Sequence, residues 1–129
     1  MNSVLGKFSG KLYALVRIVA GFLFLQHGAR KLFGVLGADG PTELASLHGV
    51  GGVIEFFGGL LIMLGLFTGW AAFLSSGMMA VAYFQVHAPR GFWTVENGGE
   101  LAVLYCFVFL YLAAGGNGEW SLGRAFGRK

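Results

Sequence analysis

Four long apolar stretches dominate this sequence of 129 residues. They cover residues 12–33, 49–67, 70–86 and 100–114. A helix needs about 20 mostly apolar residues to cross a bilayer, so the pattern predicts four transmembrane helices. Short connections between them favour antiparallel neighbours. We therefore expect an all-α integral membrane protein, an antiparallel (up-down-up-down) four-helix transmembrane bundle that forms a single domain over residues 1–129.

The composition excludes an ordinary soluble domain. Hydrophobic residues make up 56% of the chain and charged residues 12%, whereas soluble domains carry about 25% charged residues. Many of the 23 glycines lie inside the apolar stretches, where small residues let transmembrane helices approach closely. In the first stretch Arg17 interrupts the apolar run and no small-residue cleavage site follows, which favours a retained helix over a cleaved signal peptide.

The distribution of basic residues predicts the orientation. An even number of crossings puts both termini on one side of the membrane, and the side richer in Lys and Arg is usually cytoplasmic. We therefore expect a multi-pass protein of the cell (inner) membrane with both termini in the cytoplasm, in contact with lipid and with no nucleic-acid partner. The two ends carry Lys7, Lys11, Arg124, Arg128 and Lys129, and the opposite side carries Arg30, Lys31 and Arg90.

Turn-forming residues predict where the helices end. Thr68 and Gly69 predict a tight break between the second and third helices. Thr42, after Pro41, could cap a short interfacial helix in the longest loop. The loop over residues 88–99 contains Pro89 and several glycines, with aromatic side chains suited to a membrane interface.

Ionisable side chains inside the apolar stretches are candidate functional residues, because they are costly in a bilayer and usually face the bundle interior. At about 100° per residue, Arg17, His27 and Lys31 fall on one face of the first helix. Glu55 lies among glycines on the second helix, with His48 seven residues before it. All but Arg17 are predicted to gather near the outer end of the bundle. The candidate ligand-binding residues are His27, Lys31, Glu55, His87, Glu100, Arg17 and Tyr83.

Each candidate also has a structural explanation. Lys31 could extend to the lipid headgroups, Glu55 could form a structural ion pair with Lys31 or Arg17, and Tyr83 could serve packing alone. A metal site made of His27, His87, Glu55 and Glu100 is chemically possible. No local ligand motif supports it, and we assign no metal site and no catalytic residue.

The order of motifs along the chain resembles the DoxX family of small bacterial and archaeal membrane proteins. The similarity covers nearly the whole chain and departs from it at Gly123-Arg124, where many relatives carry Leu-Asp. Its motifs are Arg17-x3-Gly21-x5-His27-Gly28-x2-Lys31-Leu32-x-Gly34, Glu55-x2-Gly58-Gly59-Leu60, Gly65-Leu66, His87, Glu100, Gly115-Gly116 and Ser121-Leu122.

The resemblance implies a function in redox chemistry. The namesake of the family is similar to the small membrane subunit of an archaeal thiosulfate:quinone oxidoreductase, and other members are associated with thiol and oxidative-stress functions. We therefore expect a membrane subunit of an oxidoreductase system that binds a quinone, or a similar amphipathic redox molecule, in an intramembrane polar pocket near the outer face. The sequence contains no flavin, haem or Fe–S motif, so if the chain takes part in catalysis its electrons would come from a protein partner.

A non-catalytic function stays open. In that interpretation the chain is a membrane scaffold or a small-solute carrier, and its buried charges are an ion-pair network that fixes the helix register. The glycine faces would then pack helices or mediate a homo-oligomer.

Overall fold

The computed structural model describes residues 2–38, 40–41, 43–44 and 46–128, and every regular element among them is helical. The all-α prediction is therefore confirmed for the described part of the chain. Two helical stretches, Gly6–Phe33 and Leu47–Leu64, are long and apolar enough to cross a membrane, and a shorter apolar helix spans Glu100–Gly115. The four main helices are α1 (Ser9–Phe33), α2 (Leu47–Leu64), α3 (Thr68–Ala82) and α4 (Glu100–Gly115).

Glycines with left-handed backbone end the first two helices. Gly34 has φ +65° and donates its N–H to Arg30 O at 3.2 Å. At the end of α2, Gly65 has φ +72°, and the N–H of Leu66 reaches back to Leu61 O at 2.9 Å, which satisfies a free carbonyl of the last turn. The break between α2 and α3 therefore lies before Thr68, and its prediction at Thr68-Gly69 was wrong by a few residues.

The connections contain short helical turns. Ser46 caps α2 by accepting the N–H of Gly49 on its hydroxyl at 3.0 Å. After α3 come a turn of 3-10 helix at Ala88–Arg90 and a short helix at Thr94–Asn97, and Leu122–Ala125 follows α4. The interfacial helix predicted to start at Thr42 and the terminal charge of Lys129 lie outside the described residues.

Glycines let α1 and α2 pack backbone against backbone. A β-carbon at Gly21 would overlap the backbone of Gly59 and Met63, and one at Gly28 would overlap that of Glu55 and Phe56. Later residues of α1 thus meet earlier residues of α2, so these two helices run in opposite directions. This close contact fixes which side chains of the two helices can meet.

Helices α3 and α4 form a second pair, joined by a hydrogen bond from Ser76 Oγ to Cys106 O at 2.8 Å. The aromatic core connects this pair to α1. Phe24 of α1 is fully buried, and its ring lies 4.7 Å from Phe109 and 5.5 Å from Tyr105, measured between centroids.

Two turns of π-helix occur among the described residues. One covers Ile54–Gly58 within α2, and the other covers Tyr83–His87 directly after α3. A π-helical turn interrupts the regular i→i−4 hydrogen bonds and is frequently found at functional sites. Each turn carries residues that the sequence singles out, Glu55 in the first and Tyr83 with His87 in the second.

Candidate functional site

The centre of the candidate site is an ion pair between α1 and α2. Lys31 Nζ lies 2.6 Å from Glu55 Oε1. The side chain of Glu55 is 5% exposed and that of Lys31 is 26% exposed. This is the ion pair that the sequence offered as the structural explanation of Glu55, and the structure confirms the contact itself.

Glycine packing brings the two charges together. Gly28 allows the backbone of α1 to touch α2 beside Glu55, and Gly52 lies against the aliphatic stem of Lys31. Among the described residues Glu55 Oε1 has no hydrogen-bond donor. Its charged partner among these residues is Lys31. Removing the ionic partner of such a buried carboxylate is strongly destabilising.

A groove of about 740 Å³ runs between α2 and α3 beside this pair. Its walls are mainly aliphatic and aromatic, with Met78 and Phe73 from α3 and Ile54 from α2. Its polar lining residues are Lys31, His48 and Gln85. Lys31 therefore belongs both to the ion pair and to the groove, and its ammonium group can donate hydrogen bonds to an oxygen of a bound molecule.

Both π-helical turns contribute to the same groove. Ile54 comes from the turn in α2, and Gln85 and Val86 come from the turn that follows α3. The volume of the groove lies within the roughly 300–1,000 Å³ that is usual for small-molecule sites. Apolar walls with a few polar groups are also typical of such sites. The groove can hold an apolar chain with a polar headgroup near Lys31.

Tyr83 and His87 form a separate cluster around Asn97, which is almost fully buried. Asn97 Nδ2 donates to Tyr83 Oη at 3.0 Å, and Asn97 O lies 3.1 Å from His87 Nδ1. Neither Tyr83 nor His87 lines the groove beside Lys31. The structure thus divides the predicted site into two places.

His27 and Glu100 have exposed side chains, so the predicted inward orientation was wrong for both. The ring of His27 lies edge-on to Tyr105 at 6.5 Å between centroids, and Glu100 is the first residue of α4. Within the described residues no three of the His, Cys, Asp and Glu side chains are placed to hold a metal ion.

Arg17 lies apart from all of these residues and is fully buried. Its guanidinium group is held by backbone carbonyls. Nε donates to Ile62 O at 3.0 Å. The other acceptors are Asn117 O at 2.6 Å, Glu119 O at 2.8 Å and Trp120 O at 2.8 Å. This geometry makes Arg17 a link between α1, the end of α2 and the segment after α4.

Sequence reasoning missed Asn97 and Asn117. Asn97 organises the cluster with Tyr83, and Asn117 accepts the N–H of Thr68 on Oδ1 at 3.1 Å, at the start of α3. Each precedes a glycine, a dipeptide that signals a turn. That signal locates a loop and does not reveal that the amide is buried.

Comparison with known proteins places the chain in a family. The DoxX family model matches residues 12–88. An uncharacterised protein of Haemophilus influenzae is 42% identical over the full length of both chains. An uncharacterised membrane protein of Mycobacterium tuberculosis is 26% identical, over 88% of this chain and 80% of its own length. No solved structure matches the chain. With a family model over more than half of its length and a full-length relative, this chain is a membrane protein of the DoxX family.

Proposed function

We propose that this protein is a membrane subunit of an oxidoreductase system and that it binds a quinone, or a similar amphipathic redox molecule, in the groove between α2 and α3. The observation that carries the proposal is the position of Lys31. Its ammonium group is held by Glu55 on one side and lines a mainly apolar groove on the other.

The chemistry of the groove suits such a molecule. A quinone has carbonyl oxygens that accept hydrogen bonds. Its apolar tail is more stable in the hydrocarbon core of the bilayer than among the lipid headgroups. Lys31 would donate to a carbonyl, while His48 and Gln85 add polar contacts. Residues such as Phe73, Leu74 and Val81 would cover the tail. Because several of these apolar side chains are exposed on the outer surface of the helices, we expect entry from the lipid phase.

Glu55 would hold the ammonium group of Lys31 in position at this site. Opposite charges at short range attract each other, so the carboxylate keeps the donor beside the groove. A charged donor gives a hydrogen bond about twice as strong as a neutral one. In this proposal Glu55 acts through Lys31, and a partner protein supplies or removes the electrons, since the chain carries no flavin, haem or Fe–S motif.

The proposed setting is the inner membrane. We propose that all four helices cross it as an antiparallel bundle, with both termini in the cytoplasm and the groove near the outer face. The excess of Lys and Arg at the termini supports this orientation. A protein partner or a second copy of the chain would complete the assembly.

Binding of a decyl-benzoquinone to the purified protein tests the proposal. In wild type we expect saturable binding, and Lys31→Met should weaken it by about tenfold or more, the equivalent of one charged hydrogen bond. Gly77 lines the groove and faces open space. Gly77→Ala should therefore bind almost normally, whereas Gly77→Phe, which places a ring in the groove, should bind more weakly. Equal binding by wild type, Lys31→Met and Gly77→Phe would contradict the proposal.

A scaffold function is the second candidate, and the ion pair itself favours it. If Lys31 and Glu55 serve only to fix the register of α1 and α2, replacing both with apolar residues should preserve folding and cellular function. The carrier version of this alternative is less favoured. Arg17 links α1, the end of α2 and the segment after α4 through four carbonyls, and a carrier that moved these segments apart would have to break those hydrogen bonds.

A further inference from the structure

A second groove, of about 380 Å³, runs between α1 and α4 and shares no lining residue with the groove beside Lys31. We call it the α1–α4 groove. All of its lining side chains are apolar apart from the hydroxyl of Tyr105, and most of them are exposed on the outer surface of the helices. The groove therefore opens towards the lipid. Its walls include Val16, Val19 and Leu23 from α1, and Leu101, Leu104 and Tyr105 from α4.

Polar side chains continue the α1 wall of this groove towards one end of the bundle. At about 100° per residue, Val19, Leu23, His27 and Arg30 fall within an arc of about 80° around α1. His27 and Arg30 are both exposed. The ring of His27 lies edge-on to Tyr105 of the opposite wall. The apolar groove thus leads to a guanidinium group and an imidazole, both of which can donate hydrogen bonds.

An acid stands at the same end of the α4 wall. Glu100 is exposed and directly precedes the lining residue Leu101. Helices α1 and α4 run in opposite directions, because Tyr13 bonds to Leu112 O whereas His27 lies beside Tyr105. The start of α4 therefore lies at the end of α1 that carries Arg30.

Both of these end charges are available to a ligand. Among the described residues the structure records an ion pair for neither Arg30 nor Glu100. A molecule that carries a negative and a positive group side by side can satisfy both, whereas a molecule with one sign of charge can satisfy only one of them.

The length of the groove matches one leaflet of a bilayer. From the lining residue Leu15 to Arg30, α1 rises about 22 Å at about 1.5 Å per residue. A bilayer with its headgroups is about 40–45 Å thick, so one leaflet takes up about half of that. A phospholipid whose headgroup lies at Arg30 therefore reaches the far end of the groove with its acyl chain.

We propose that the α1–α4 groove holds an acyl chain of a phospholipid with a phosphoethanolamine headgroup, and that this headgroup lies between Arg30 and Glu100. The phosphate accepts hydrogen bonds from Arg30 and from the ring N–H of His27, and the ammonium group donates to Glu100. His27 and Glu100, which lie outside the groove beside Lys31, thereby share one binding site. The site does not depend on the ligand proposed for that groove, nor on the side of the membrane that this end of the bundle faces.

Native mass spectrometry of the purified protein tests the proposal. The probes are palmitoyl-oleoyl phosphatidylethanolamine and palmitoyl-oleoyl phosphatidylglycerol, which have the same acyl chains and differ in the ammonium group. In wild type we expect one phosphatidylethanolamine per chain, bound about threefold to tenfold more tightly than phosphatidylglycerol, the equivalent of one hydrogen bond.

Four variants separate the headgroup from the acyl chain. Glu100→Gln should remove the preference for phosphatidylethanolamine, whereas Arg30→Gln should weaken the binding of both lipids. Val19→Trp places an indole ring in the groove and should also weaken both. Val53→Trp is the matched control, since Val53 is an exposed valine on α2 that lines neither groove, and it should bind both lipids like wild type.

Three results would overturn the proposal. The first is equal affinity of wild type for the two lipids, a comparison that needs no variant to fold. The second is equal lipid binding by Val19→Trp and Val53→Trp. The third is a lipid-free dimer that Val19→Trp dissociates, because the groove would then be occupied by a second copy of the chain.

Discussion

Lys31 Nζ and Glu55 Oε1 lie 2.6 Å apart, across the seam where glycines bring α1 and α2 into contact. The acid is buried and the base reaches a groove, so the two ends of this pair have different surroundings. Removing Lys31 leaves a charge without a partner in a place that water does not reach. Replacing both charged side chains with apolar ones leaves two apolar helix faces in contact.

The ion pair should therefore be strongly non-additive in stability. Lys31→Met should lower the free energy of unfolding by about 3 kcal/mol, because it leaves Glu55 buried without its ionic partner. The double variant Lys31→Met/Glu55→Leu should unfold within about 1 kcal/mol of wild type. Thermal unfolding in detergent, monitored by circular dichroism, measures the stability of both variants. A double variant less stable than Lys31→Met alone would show that the two residues are not coupled.

Glycine packing between α1 and α2 gives the second prediction. Gly28→Ala places a methyl group into the backbone of Glu55 and Phe56, so it should destabilise by about 1–3 kcal/mol and disturb the nearby ion pair. Gly77→Ala is the matched control, since a β-carbon there meets nothing within 4 Å. That change should be neutral or stabilise by up to about 1 kcal/mol, the difference in helix propensity. Similar melting temperatures for the two variants would be inconsistent with the close contact.

Arg17 should hold the segment after α4 in place. Arg17→Met removes the donors to four carbonyls and should destabilise by at least about 3 kcal/mol, because buried acceptors lose a charged partner. It should also expose residues 117–120 to protease. Arg124→Met is the control, since that side chain is exposed. Limited proteolysis with mass spectrometry reads the result, and equal resistance of the two variants would refute the link.

Tyr13 offers a milder test of the same end of the molecule. Its hydroxyl donates to Gly116 O at 2.7 Å and lies 3.1 Å from Leu112 O, at the end of α4. Tyr13→Phe should cost about 1 kcal/mol. Tyr111→Phe, on the neighbouring exposed ring, should have almost no effect. Chemical unfolding curves give the free energy of unfolding of each variant. A larger decrease for Tyr111→Phe than for Tyr13→Phe would contradict the role given to the Tyr13 hydroxyl.

The proposed topology predicts which positions a membrane-impermeant thiol reagent reaches. In a Cys106→Ser background, Gly37→Cys and Glu96→Cys should react in intact cells, because both residues are exposed at the proposed outer side. Lys7→Cys and Gly127→Cys should react only after the membrane is opened. Labelling of all four positions from outside would show that the proposed orientation and crossing number are incorrect.

The sequence alone predicts part of the candidate site. Glu55 is an acid among glycines, and helical spacing predicts Lys31 on the face of α1 that can meet it. The same spacing put His27 on that face, yet His27 is exposed. A helical wheel gives the direction of a side chain around one helix. It does not give the distance to the neighbouring helix, and the only close partner ring of His27 among the described residues is Tyr105 on α4.

Arg17 illustrates the other limit. Its charge within an apolar stretch predicts a ligand-binding residue or a partner for Glu55, because ionisable groups in transmembrane segments are usually functional or paired. Three of its four acceptors lie about a hundred positions away in the chain, and all four are backbone carbonyls, which have no sequence signature.

The sequence by itself determined that the chain is helical and apolar, since hydropathy and helical period depend only on the order of residues. It also determined the family, through the spacing of its motifs. The tertiary structure decided which charges meet, where the π-helical turns fall and that Asn97 organises a second polar cluster. These features depend on contacts between segments that are distant in the sequence. Close packing of glycines and hydrogen bonds from the loops form those contacts only when the whole chain is folded.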